Sequence, residues 1–181
     1  MRRAFMRNAD DRSKHLCMAI QGRRPIMNPA EIQGFLRNSE FLKGLAPADI
    51  DKISSICRTV DYEAGDYVFQ QGDFGENLYI IVNGYVFLER AMDIGKHKGS
   101  VVIDALGRGR TLGCWSSLLG QPHVLMSSAS CQKPTTILAF NGTDLRGMML
   151  ENTDFGFHIL ERLCFLLRDR IQAAYGAMDK I

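Results

Sequence analysis

No segment of the sequence approaches the roughly 18–20 consecutive apolar residues that a membrane-spanning helix needs. The early apolar stretch Leu16–Ile20 is too short for a secretory h-region. The five cysteines (Cys17, Cys57, Cys114, Cys131 and Cys164) are odd in number and scattered, with no CxxC pair. That usage argues against a disulfide framework and suits reduced thiols, so the cytoplasm is the expected location. Among Cys114, Cys131, His97 and His123 there is no metal-ligand spacing, and no metal site is expected. GxSxG, HExxH and Walker-type P-loop patterns are missing too. Gly95-Lys96-His97-Lys98-Gly99-Ser100 lacks the order of a phosphate loop and reads as a solvated basic hairpin tip. The chain is therefore expected not to be an enzyme.

Net charge is also nearly lacking, at +2. Its distribution is uneven. Arg2, Arg3, Arg7, Arg12, Lys14, Arg23 and Arg24 stand against only Asp10 and Asp11 in the first 24 residues, and the remainder is slightly acidic. Residues 1–27 carry no sustained periodicity and read as a basic N-terminal arm.

What is present changes period twice. In residues 28–57, Asn28 is a good N-cap and Pro29 a good first helical residue. Ile32, Phe35, Leu36, Leu42 and Leu45 then give one apolar face. A second helix begins near Pro47 with Ile50, Ile53, Ile56 and Cys57 on one side. Residues 58–141 hold short β-rich runs at Val60–Tyr62, Tyr67–Phe69, Leu78–Val82, Tyr85–Arg90, Val101–Leu106, Leu125–Cys131 and Thr135–Phe140. Glycine-bearing turns separate them, and Asn83-Gly84 reads as a hairpin turn. Many short strands with such turns predict a jelly-roll barrel. Residues 142–181 return to helix, with Thr143 expected to cap a short one and Thr153 a long one from about Asp154 to Asp179.

The segment from Ala64 to Val86, AGDYVFQQGDFGENLYIIVNGYV, resembles the cyclic-nucleotide-binding domain family. Gly65, Gly72, Gly75 and Gly84 with Phe69, Asp73 and Tyr79 carry the likeness, supported by Phe41–Leu45 and by Leu106–Gly113. The resemblance covers roughly residues 36–180. It implies a double-stranded β-helix barrel with flanking helices, of the kind in catabolite-activator regulators and protein kinase A regulatory subunits.

It also implies a phosphate-binding cassette at residues 113–124. In the family a glutamate follows the glycine matching Gly113 and accepts from the ribose 2′-hydroxyl. An arginine in the later turn pairs with the cyclic phosphate. Here those positions hold Cys114 and His123. A thiol cannot replace a carboxylate, and a mostly neutral imidazole lacks the guanidinium fork. Losing two charged hydrogen bonds at about 1.5–3 kcal/mol each removes about two to four decades of affinity. Ser116, Ser117, Val124 and the free N–H groups of a short helix remain as ligand contacts, and Trp115 offers a ring to stack on. Alternatively, Trp115 and Leu118 pack into a filled pocket. A third reading makes Cys114 a thiol or metal switch beside His123.

In the long final helix, Leu160, Cys164, Leu167, Ile171, Ala174 and Met178 follow a 4-3-4-3-4 spacing, the seam of a two-stranded coiled coil. Ile159, Leu163 and Leu166 widen the stripe towards the barrel. The seam predicts a homodimer, and in the catabolite-activator branch the matching helix pairs two subunits. No helix-turn-helix domain and no membrane contact are expected in this chain, and a protein partner is compatible with it. The expected function is non-enzymatic: a regulatory module that senses a small ligand, with ordinary cAMP or cGMP binding disfavoured. No cofactor is assigned beyond a cyclic nucleotide or other small ligand. The alternative is a ligand-free dimerisation or protein-interaction domain.

Overall fold

The computed structural model describes residues 27–94, 97–113 and 115–178; the basic arm before Met27, and Cys114, lie outside the described residues. The first helix, α1 (Pro29–Arg37), opens on a reciprocal capping box. Asn28 Oδ1 accepts from the Glu31 amide at 2.9 Å and Glu31 Oε2 accepts from the Asn28 amide at 2.8 Å, satisfying two donors that the first turn leaves free. A 3-10 turn (Glu40–Leu42) and α2 (Pro47–Ile56) follow. Leu36, Phe41, Leu42, Ile50 and Ile53 are buried beneath them.

The strands are β1 (Cys57–Tyr62), β2 (Tyr67–Phe69), β3 (Phe74–Gly75), β4 (Asn77–Asn83), β5 (Val86–Ile94), β6 (His97–Leu106), β7 (Thr111–Leu112), β8 (His123–Val124), β9 (Ser128–Cys131) and β10 (Thr135–Asn141). They form two antiparallel four-stranded sheets, ordered β1-β10-β4-β7 and β2-β9-β5-β6, with β3-β8 as a small third pair. This is the expected jelly-roll barrel. Leu78–Val82 is apolar throughout because both of its faces are buried. Leu78, Ile80 and Val82 join the cluster under the helices, while Ile81 joins Val86, Leu106 and Ile137 inside the barrel. Each such side chain contributes about 1.5–3 kcal/mol of transfer free energy, so the strand is anchored twice.

The Asn83-Gly84 hairpin does not form. β4 pairs with β10 and β7, whereas β5 pairs with β6 and β9. Gly84, at φ 120°, is the corner where the chain crosses between sheets, and a Cβ there would overlap Thr135. The local dipeptide specifies a sharp reversal of direction but not which sheet receives the next strand. The hairpin that does form joins β5 and β6, with Ile94 opposite His97.

Helix α3 (Trp115–Leu119) sits between β7 and β8, and α4 (Gly142–Glu151) and α5 (Thr153–Met178) follow the barrel. Their caps differ from expectation by one or two residues. Asn141 Oδ1, not Thr143, accepts from the Thr143 and Asp144 amides, and Asn152 Oδ1, not Thr153, accepts from the Phe155 amide. Asparagine is the better cap because its side-chain carbonyl reaches the second or third amide without strain. The 26 residues of α5 span about 40 Å. Phe155, Ile159 and Leu163 face the core, and Leu166 packs on its edge.

Candidate ligand-binding cassette

Gly113 enters the cassette at φ 73°, where a Cβ would run into the Asn77 carbonyl and lie 3.1 Å from the Tyr79 ring. This glycine is thus required by the approach of β4, independently of any ligand. Asn77 Nδ2 donates to Tyr79 Oη at 3.3 Å, and burial pushes the Tyr79 phenol above its ordinary pKa. Behind Gly113, α3 lies against α4. Ser116 packs on Gly142, where a Cβ would overlap its Oγ. Ser117 is fully buried, and neither serine hydroxyl has a hydrogen-bond partner among the described residues. The two serines are therefore the small residues that let α3 seat against the body of the domain.

Trp115 is 37% exposed, and its ring centroid lies 5.7 Å from that of His123 at a 42° tilt. β8 places His123 opposite Gly75 and Val124 opposite Phe74. Phe74 and Val124 are both exposed. Trp115 and His123 are thus in ring contact, while Ser116 and Ser117 are buried, Ser116 against Gly142 at the start of α4. From Thr111 to Cys131 the sequence carries no Asp, Glu, Lys or Arg. The exposed rim of this segment, Trp115 with His123, is aromatic, while the charges of Glu76 and Arg58 are felt at nearby Tyr79.

Among the described residues, no group of three or more His, Cys, Asp and Glu is arranged to hold a metal. Burial pushes the Cys57 thiol up to about 11 and raises Cys131 as well, which keeps both protonated and inert near neutral pH. Cys164 is exposed on α5.

One connection was not anticipated from the sequence. Arg170 on α5 forms an ion pair with Asp104 of β6 and donates from Nη2 to the Thr111 carbonyl at 2.8 Å. It thereby ties the long helix to the strand that leads into Gly113. A signal existed: Ile159, Leu163, Leu166 and Arg170 keep 4-3-4 spacing on the barrel-facing side, and an arginine in a buried register needs a partner. Phe74 had no comparable signal, because it is a lone aromatic in a turn-rich stretch.

On the other side of α5, Leu160, Cys164, Ile171 and Met178 are exposed, whereas Leu167 and Ala174 are half-buried. Phe157 and Tyr175, 71% and 65% exposed, extend the same stripe. No helix among the described residues is long and apolar enough to cross a membrane.

Residues 59–152 match the family model described as the cyclic nucleotide-binding domain. A cAMP-dependent protein kinase regulatory subunit from Eremothecium gossypii is 31% identical over 108 residues, which cover 60% of this chain and 22% of that protein. The curated relatives reported with it are likewise matched over only 8% to 37% of their own length. Among solved structures, a cyclic nucleotide-binding domain from Methylobacillus flagellatus superposes with a TM-score of 0.68 at 19% identity, covering 84% of each chain. The regulatory subunit of a cAMP-independent protein kinase A from Trypanosoma cruzi, bound to guanosine, superposes with a TM-score of 0.57 at 21% identity, covering 68% of this chain and 42% of that one. With the family model spanning more than half its residues, this chain belongs to the cyclic nucleotide-binding domain family.

Proposed function

We propose that this chain is a non-enzymatic regulatory module whose cassette takes a flat, uncharged ligand of the nucleoside type instead of a cyclic phosphate. The observation that carries this reading is the rim itself: no charged side chain between Thr111 and Cys131, and an imidazole beside the Trp115 indole where the family places a guanidinium. An anion entering such a rim loses water without gaining a charged partner. A purine base loses little and gains stacking on the indole. The Trypanosoma cruzi subunit bound to guanosine supports the reading, since guanosine is a nucleoside without phosphate.

The reading extends to the rest of the chain. The basic arm 1–27, the helices of 28–57, the barrel of 58–141 and the helices of 142–181 act as four parts. The last helix pairs with a second copy through its exposed stripe, and the protein works in the cytoplasm. A ligand at the rim would reach that helix through Thr111 and Arg170. The second reading, a docking module without ligand, draws on the exposure of Phe74, Trp115 and Val124, which a partner's apolar surface would also cover.

Trp115 is the only tryptophan, so its fluorescence reports on the rim alone. Titration with guanosine and adenosine is expected to change the emission saturably, with cyclic AMP and cyclic GMP weaker. An emission that responds to no nucleoside favours the docking reading.

A further inference from the structure

A cleft of about 580 Å³ opens between α1 and the β6–β7 turn, and none of its described lining residues belongs to the 113–124 cassette. One wall is the turn Gly107–Arg110. This turn is pinned to β4 because Gly109 donates its amide to the Ile81 carbonyl at 2.7 Å and the Ile81 amide donates to the Arg110 carbonyl at 3.0 Å. Two exposed arginines, Arg108 and Arg110, thereby leave a fixed stretch of backbone. Arg108 lies over the Phe35 ring, 5.5 Å from its centroid, and among the described residues neither Arg108 nor Arg110 has a carboxylate partner. The opposite wall is α1 and the 3-10 turn. Of its two carboxylates, Glu31 is already engaged in the capping box, which leaves Glu40 against two cations. Met27, Phe35 and Val82 supply apolar surface.

Two further residues bear on what the cleft can hold. Ser39 lines it and is 4% exposed; among the described residues its hydroxyl has no hydrogen-bond partner, and the oxygen itself is closed to solvent. Gly34 lines the cleft from inside α1, where glycine weakens a helix relative to alanine, and, as at Gly147 and Gly176 in the later helices, a Cβ built on it meets nothing within 4 Å. A larger side chain at this position would take up cleft volume.

We propose that this cleft is a second binding site, for a small organic anion with an apolar body. The anionic group sits between the Arg108 and Arg110 forks, where guanidinium geometry favours bidentate contact with phosphate or carboxylate. The apolar body lies along Phe35, Met27 and Val82. The site is independent of the cassette reading, because it shares none of the cassette's described residues.

The test uses the full chain, isotope-labelled, with phenyl phosphate, inorganic phosphate and phenol as probes followed by backbone amide shifts. Phenyl phosphate is expected to shift the Gly34, Ser39 and Gly109 amides saturably, at least tenfold more tightly than either probe fragment. The double variant R108Q/R110Q is expected to weaken it at least tenfold. Gly34→Leu is expected to abolish binding while raising the melting temperature, since leucine is the better helix former and would occupy the cleft. The proposal is overturned by the absence of saturation up to about 10 mM phenyl phosphate, a free energy of only about 2.7 kcal/mol. It is also overturned by shifts confined to residues 113–124, by inorganic phosphate binding as tightly as phenyl phosphate, or by Gly34→Leu binding like the wild type.

Discussion

Arg170 and Asp104 form the ion pair that fastens the long α5 helix to the barrel, with side chains only 15% and 24% exposed. An exposed pair contributes about 0–1 kcal/mol, and breaking a fully buried one costs about 3–5 kcal/mol. This pair lies between those limits. Its weight comes partly from the additional bond to the Thr111 carbonyl, which R170M also removes. R170M is expected to cost about 1–3 kcal/mol in denaturant unfolding and to speed amide exchange in the second half of α5. Exchange unchanged from wild type would show that the pair holds nothing in place.

The exposed stripe of α5 predicts the oligomeric state. Leu160 and Ile171 are 38% and 55% exposed on a face with no partner inside the described chain. L160E/I171E would set carboxylates on that face and oppose like charges across a paired helix. Light scattering is expected to give a dimer for the wild type and a monomer for the double variant, with the circular dichroism of both alike. A wild-type monomer at high micromolar concentration would remove the pairing from the account.

The sheet-crossing corner predicts a large effect from a small change. Gly84 at φ 120° has no room for a Cβ against Thr135. Gly84→Ala is expected to cost at least about 2 kcal/mol, because strain and overlap act together. A loss under about 0.5 kcal/mol would mean that the corner relaxes freely.

This corner also marks where reading the sequence stopped working. Strand positions were legible because alternation is local: Tyr67–Phe69 matches its strand, and Leu78–Val82 falls within β4. The Asn83-Gly84 turn was misread as a hairpin because sheet membership is decided by distant partners, β10 for one strand and β9 for the next. The cassette was legible as chemistry, through His123 and Trp115, but their ring contact needed β8 to pair with β3, two-residue strands too short to carry a periodic signal. Ser116 and Ser117 read from the sequence as ligand contacts, whereas the structure buries both beside α4. Gly34 lay outside any motif, and the cleft it shares with Arg108 and Arg110 joins residues more than seventy positions apart, which no local pattern announces.

The thiols give a pH prediction. Burial raises Cys57 from 9.0 to about 11, so the folded state favours the protonated thiol. A group whose folded pKa is raised contributes stability that is present below its unfolded pKa and is lost as pH rises through the folded value. Stability is therefore expected to fall between pH 9.0 and about 11, less so in C57A. At pH 8, in L160E/I171E, where the α5 seam is unpaired, iodoacetamide is expected to label exposed Cys164 well before Cys57. Equal labelling rates in the folded protein would contradict the burial of Cys57.

The central claim is that the cassette reads a flat, uncharged ligand because it has lost its acid and base. The most direct measurement is calorimetric titration of reduced protein with guanosine and with cyclic AMP, on the wild type and on C114E/H123R. The account predicts that the wild type binds guanosine more tightly than cyclic AMP. It also predicts that the double variant gains cyclic AMP affinity by about two to four decades, the value of two charged hydrogen bonds. Micromolar cyclic AMP binding by the wild type, unchanged in C114E/H123R, would contradict it.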